Sequence, residues 1–224
     1  MLRSLMALVL ALSSVQAEEK RAAFSIPDST LSPDRRYGVT VPTLDSDAKE
    51  PRDSSNELIE ITTGKTLAVI KAAVVFDRMN HERLLPSRWS KDGKFLLWEV
   101  DGKWFPSALV LLKLEDGQAS QYNLLELSQK AILAETQKAS PAGYEAAKKA
   151  NAGNGSAYPD GFSVDVVALD PVSLPIHLRI ALTSNPKGIE DIPTLESSMD
   201  AILTAEGKLE IQQFKLGPGV SRHF

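Results

Sequence analysis

The sequence predicts an α+β fold: mainly antiparallel β meanders with a two-helix insert. Three observations lead there. Residues 32–120 and 160–217 alternate apolar and polar side chains with a period of two, punctuated by turn residues. Between them, residues 123–150 change to a helical period with helix-capping residues at the expected places. Strands therefore come in runs on either side of a helical block, which is the segregated pattern of α+β rather than the alternation of α/β.

The organising stretch is Arg88–Gly117, which holds all three tryptophans and three Asp-Gly turn signals. Phe95–Val100 (Phe-Leu-Leu-Trp-Glu-Val) and Ala108–Leu114 (Ala-Leu-Val-Leu-Leu-Lys-Leu) are apolar on nearly both faces, so both are expected as inner strands. Upstream, Tyr37, Val39 and Val41 alternate after a Ser-Pro-Asp turn, and Pro42 ends that strand. Thr43–Asn56 is a charged loop; its Asp45 and Asp47 lack the glycine and distal glutamate of a calcium loop. Glu57–Thr63 and Leu67–Phe76 read as a hairpin about Gly64, the second strand mostly buried.

Asn123 is the expected cap of a helix over Leu124–Ala139. Ser140-Pro141 opens a second over Ala142–Ala150, serine as cap and proline at the first position. Asn151–Ser156 breaks it, and its glycines enter a strand rather than a helix, so they do not form a phosphate cradle. Gly161–Leu169, Ile176–Thr183 and Leu209–Leu216 are expected strands. Leu195–Thr204 fits strand or helix, with strand preferred because Ala205–Lys208 sits where a hairpin needs its turn.

Ser32-Pro33-Asp34-Arg35-Arg36-Tyr37-Gly38-Val39 and Trp89-Ser90-Lys91-Asp92-Gly93-Lys94-Phe95-Leu96-Leu97-Trp98 resemble the Ser-Pro-Asp-Gly-Lys-hydrophobic repeats of TolB-type and WD40-like β-propeller blades. The resemblance covers residues 32–117. The second copy has Lys91 where the family has proline. A propeller needs about four or more blades, and two starts are present. What the resemblance implies is propeller-blade-like antiparallel hairpins over that stretch rather than a closed propeller, with no functional residue carried over; the C-terminal four-stranded meander is read from the alternation of residues 160–217.

The N-terminus reads as a cleavable export signal over residues 1–17: Arg3 supplies the positive start, Leu5–Leu12 the apolar run, and Val15 and Ala17 the small residues before the cut. The apolar run is too short to span a bilayer. The expectation is a single exported domain over 18–224, in the periplasm or secreted, with a β meander over 32–120, helices over 123–150 and a β meander over 160–217. No later stretch has the apolar length of a membrane helix. Loss of Arg3 takes the net charge from −4 to −5.

Composition narrows the chemistry. There is no cysteine, so disulfides, thiol catalysis and zinc–thiolate sites are excluded from this chain. An exported chain without cysteine fits a bacterial envelope better than a eukaryotic secretory route. Acidic net charge with no basic block argues against nucleic acid. None of His81, His177 and His223 lies in a metal-ligating spacing, and no serine sits in a nucleophile elbow. No motif calls for a cofactor.

The densest titratable set is Asp77, Arg78, His81, Glu82 and Arg83, of which His81, Glu82 and Asp77 are the candidate catalytic groups. Trp89, Trp104 and Tyr37 are the candidate aromatic platform for a protein, peptide or glycan of the envelope. The leading expectation is a non-catalytic binding or envelope-associated protein acting through a sheet face or edge. The alternatives are a hydrolase with its site around Asp77–Arg83, and a structural subunit that pairs through strand edges.

Overall fold

The computed structural model describes residues 24–43, 54–77, 83–102, 106–151, 161–185, 188, 190–191 and 194–218. The chain divides into two compact units, one ending at Ile70 and taking in 74–80, the other formed by 71–73 and 81–224. The expected class holds: antiparallel meanders with two helices between them.

In the first unit the order is β1 (Phe24–Ser25), a 3₁₀ turn (Asp28–Thr30), β2 (Tyr37–Pro42), β3 (Glu57–Glu60) and β4 (Lys65–Val69). They form one antiparallel sheet in the order β1-β2-β3-β4. Alternation on β2 buries Val39 and Val41, and Leu58 of β3 joins them. Gly38 is required here, because a Cβ on it would lie 2.7 Å from the Ile26 side chain. The Ser-Pro-Asp turn closes on its own side chains. Ser32 Oγ–H donates to Asp34 Oδ1 (2.7 Å), the Arg36 N–H donates to the same oxygen (3.1 Å), and the Tyr37 N–H donates to Ser32 Oγ (3.0 Å).

The expected buried strand over Leu67–Phe76 is different: β4 stops at Val69, and Val69 is 47% exposed. The segment beyond is held instead by buried Asn56. Its Nδ2–H₂ donates to the carbonyls of Thr40 (3.2 Å) and Val75 (2.9 Å), and its Oδ1 accepts from the Val75 N–H (2.8 Å). The Ala and Val residues of this stretch supply apolar surface but no strand partner, so one buried amide replaces the ladder.

The second unit opens with β5 (Arg83–Leu84), β6 (Arg88–Trp89), β7 (Phe95–Asp101), β8 (Pro106–Glu115) and β9 (Gln118–Asn123). β5 and β6 occupy the same edge of β7 in succession, so this sheet is four strands wide. The turn between β6 and β7 repeats the bonds of the first one: Ser90 Oγ–H to Asp92 Oδ1 (2.6 Å), Lys94 N–H to Asp92 Oδ1 (3.2 Å) and Phe95 N–H to Ser90 Oγ (2.9 Å). As expected, β7 and β8 are inner strands, buried on both faces.

α1 (Leu124–Ala139) follows directly. Asn123 Oδ1 accepts from the Glu126 N–H at 3.1 Å, the side-chain cap its sequence announced. α2 (Pro141–Asn151) follows after Ser140. Then β10 (Ser163–Ala168), β11 (Ile176–Thr183), β12 (Glu196–Leu203) and β13 (Leu209–Leu216) form a four-stranded antiparallel sheet in chain order.

α1 packs against β8 and across β10–β13. It carries Leu124, Leu125 and Ile132 into a core that includes Leu97, Leu109, Leu111, Phe162 and the inward residues of β10–β12. Each such side chain contributes about 1.5–3 kcal/mol by leaving water. Some buried polar groups pair across this core, whereas the buried Ser128 Oγ of α1 has no hydrogen-bond partner among the described residues. Thr136 Oγ1 and Ser197 Oγ hydrogen-bond at 2.6 Å, and Asn151 Nδ2–H₂ donates to the Ala147 and Ser184 carbonyls. Among the described residues, no helix is long and apolar enough to cross a membrane.

Candidate functional site

Of the candidate site residues singled out from sequence, Asp77, Tyr37 and Trp89 fall among the described residues. Asp77 is exposed in the first unit, where its N–H donates to the Pro42 carbonyl at 3.0 Å. His81, Glu82, Arg78, Trp104 and His223 lie outside the described residues. Tyr37 begins β2 in the first unit, half-buried, with the Arg36 guanidinium carbon 5.2 Å from its ring centroid. Trp89 belongs to the second unit, half-buried on β6 and paired with Leu96 of β7. Trp98 is fully buried, which makes it core.

A different set is brought together by β11–β13. The alternation of β11 turns Ile176, Leu178 and Ile180 inward and leaves His177 and Arg179 exposed. The register then stacks three outward rows: His177–Ile202–Glu210, Arg179–Asp200–Gln213, and Ala181–Ser198–Lys215. A shallow groove of about 200 Å³ opens there, lined by Arg179, Ser198, Asp200, Gln213 and Lys215 with Met199 and Pro218. Arg179 Nε stands 3.7 Å from Asp200 Oδ1, both side chains about half exposed. Such a pair contributes only about 0–1 kcal/mol, so a ligand can exchange for it at little cost.

Two cations, one carboxylate and one amide spread over two adjacent rows suit an extended, polar, mixed-charge chain better than a compact apolar molecule. The groove runs beside an edge: β13 has β12 on one side, and no strand pairs with its other side among the described residues. The core-facing side chains of β13 are incompletely covered, with Ile211 41% and Leu216 48% exposed.

No family model, curated protein or solved structure matches this chain. Among the described residues, no three or more His, Asp and Glu side chains are arranged to hold a metal ion.

Shifted pKa values mark turns and one surface pair. The Ser32 hydroxyl and then the Arg36 N–H hold Asp34 below its usual value, and the Ser90 hydroxyl and Lys94 N–H do the same for Asp92. Lys113 and Glu115, 2.7 Å apart, shift each other in opposite directions through their hydrogen bond, the lysine upward and the glutamate downward.

Sequence reasoning gave the strand Ile176–Thr183 that carries His177 and Arg179 but missed the groove. The missing information is the β12–β13 register, which has a bulge between Asp200 and Ala201. Alternation gives each strand's faces; it does not say which residues of two strands meet.

Proposed function

We propose that this protein is an exported, non-catalytic binding or assembly module of the cell envelope or extracellular space, working through the outward face and open edge of its C-terminal sheet. The observation that carries the reading is the Arg179–Asp200–Gln213–Lys215 groove running beside β13. Strand edges offer main-chain hydrogen bonds to an extended partner, and side-chain rows beside them supply selectivity. The leader-like residues 1–17 support export, with cleavage after Ala17.

Two measurements test this. N-terminal sequencing of the protein recovered from the periplasm or medium is expected to begin at Glu18; an intact Met1 on cytoplasmic protein rejects export. A thermal-shift screen of the chain from Glu18 against extended peptides, envelope glycans and divalent cations tests binding, because a native-state ligand raises the melting temperature. A mixed-charge peptide is expected to give a shift that Arg179→Ala abolishes. A shift that survives Arg179→Ala places binding elsewhere and rejects the groove.

A further inference from the structure

We propose that β13 pairs antiparallel with β13 of a second copy of this chain, across a twofold axis normal to the sheet, joining two four-stranded sheets into one of eight strands. The inference rests on the reading of the C-terminal sheet as a binding surface and names its partner.

The strand is Leu209-Glu210-Ile211-Gln212-Gln213-Phe214-Lys215-Leu216. Read from its two ends it has the same chemistry: leucine, a charge, a large apolar residue, glutamine. Antiparallel self-pairing about the Gln212–Gln213 peptide sets Leu209 against Leu216, Ile211 against Phe214 and Gln212 against Gln213. It also sets Glu210 against Lys215, acid against base, and the symmetry makes each pair twice.

Parity would forbid this in a regular strand. A twofold axis normal to the sheet keeps each face on its own side, yet residues seven, five or three apart in a regular strand point to opposite faces. The bulge removes the obstacle. Ile211 pairs with Ala201 and Gln213 pairs with the adjacent Asp200, so Gln212 is the extra residue. Leu209, Ile211, Phe214 and Leu216 then share the core face with Leu203, Ala201, Met199 and Ser197, while Glu210, Gln213 and Lys215 share the outward face with Ile202, Asp200 and Ser198. The bulge sits at the centre of the palindrome, where it brings both halves into phase.

Apolar exposure points to the same occupant. Ile211 and Leu216 stand on the core face but beyond its cover, and self-pairing lays Phe214 and Leu209 of the partner subunit beside them. An edge blunted against association carries charges that repel a copy of itself; this one carries charges that attract it. Lys215 also lines the groove, so the pairing sets Glu210 of the partner subunit at the groove's rim.

Sedimentation equilibrium of the exported protein over about 1–100 µM tests the pairing. The expected species is a dimer. Lys215→Glu alone, or Glu210→Lys alone, places like charges together at both symmetric sites and weakens the dimer about tenfold or more. The double variant Glu210→Lys/Lys215→Glu restores attraction and is expected to recover the dimer to within about threefold. Both side chains changed are exposed, and circular dichroism of each variant checks that the fold is kept. A wild-type monomer at every concentration overturns the proposal, as does a dimer indifferent to both single reversals, or one that both reversals break and the double does not restore. A monomer that still binds a peptide through Arg179 overturns self-pairing alone and leaves the binding reading standing.

Discussion

The two Ser-x-Asp turns close with the same bonds but with different backbone residues at the tight position. In the first, Arg35 takes φ +57°; in the second, Gly93 takes φ +69°. In each, the N–H of that residue donates to the carbonyl of the serine, and the serine N–H donates to the carbonyl of the first strand residue, Tyr37 or Phe95. A side chain in the left-handed region costs about 1–2 kcal/mol, which the first turn bears and the second avoids. Ser32 is 2% exposed, whereas Ser90 is only half-buried. The comparison teaches that the serine–aspartate pair, not glycine, defines this turn. Where the serine is deep, its hydrogen bonds hold a strained residue in place. The repeated chemistry closes a turn in each copy.

The largest expected effect separates the two serines. Ser32→Ala strips the Tyr37 N–H and Asp34 of a buried partner and is expected to cost about 1–3 kcal/mol, against about 0.5–1.5 kcal/mol for Ser90→Ala, where water can replace the hydroxyl. Urea denaturation followed by circular dichroism gives both values; an equal or reversed order breaks the link between burial and the tolerance of Arg35.

Next comes the tight residue itself. Gly93→Ala meets no atom within 4 Å, so its expected loss of about 1 kcal/mol is a pure backbone effect. Fluorescence of Trp98, buried in the second unit, follows that unfolding. The mirror experiment, Arg35→Gly, relieves strain but gives up the exposed ion pair with Asp28 at 3.3 Å, for an expected gain of about 0.5 kcal/mol. Destabilisation by Arg35→Gly would show that the arginine is needed for more than its backbone.

The smallest effect is on pH dependence. Asp34 and Asp92 have folded-state pKa values below the ordinary carboxylate value because the serine hydroxyl binds the charged form. Their contribution is therefore complete above about pH 5, where the unfolded carboxylates are ionised too, and fades as pH falls through the folded values. The double variant Asp34→Asn/Asp92→Asn is expected to lose less stability than the wild type between pH 6 and 3, as read from urea midpoints. An unchanged acid loss would mean that these turns take no part in it.

How much of this was legible in sequence follows from which forces are local. α1 is read to the residue because Asn123 caps it and its apolar period is helical. β11 and β13 are read to the residue because alternation and the Ala205–Lys208 turn bound them. β9 was missed, since Gln118–Asn123 is polar and becomes a strand through its pairing with buried β8. β10 was read as alternating, yet Ser163 and Asp165 on its polar side are buried as well. The groove was illegible for a non-local reason: it needs Arg179, Asp200 and Gln213 in one row, and the bulge that aligns them has no single-residue signature. The palindrome of β13 was present in the letters, but its meaning depends on which face each half presents.

Amide hydrogen exchange along β13 tests the central claim, that this edge is the working surface. The N–H groups of β13 that do not bond to β12 are expected to exchange quickly in dilute protein, to become protected as concentration rises, and to lose that protection in Lys215→Glu. Fast exchange at those amides at every concentration, with the rest of β13 protected, would contradict the account.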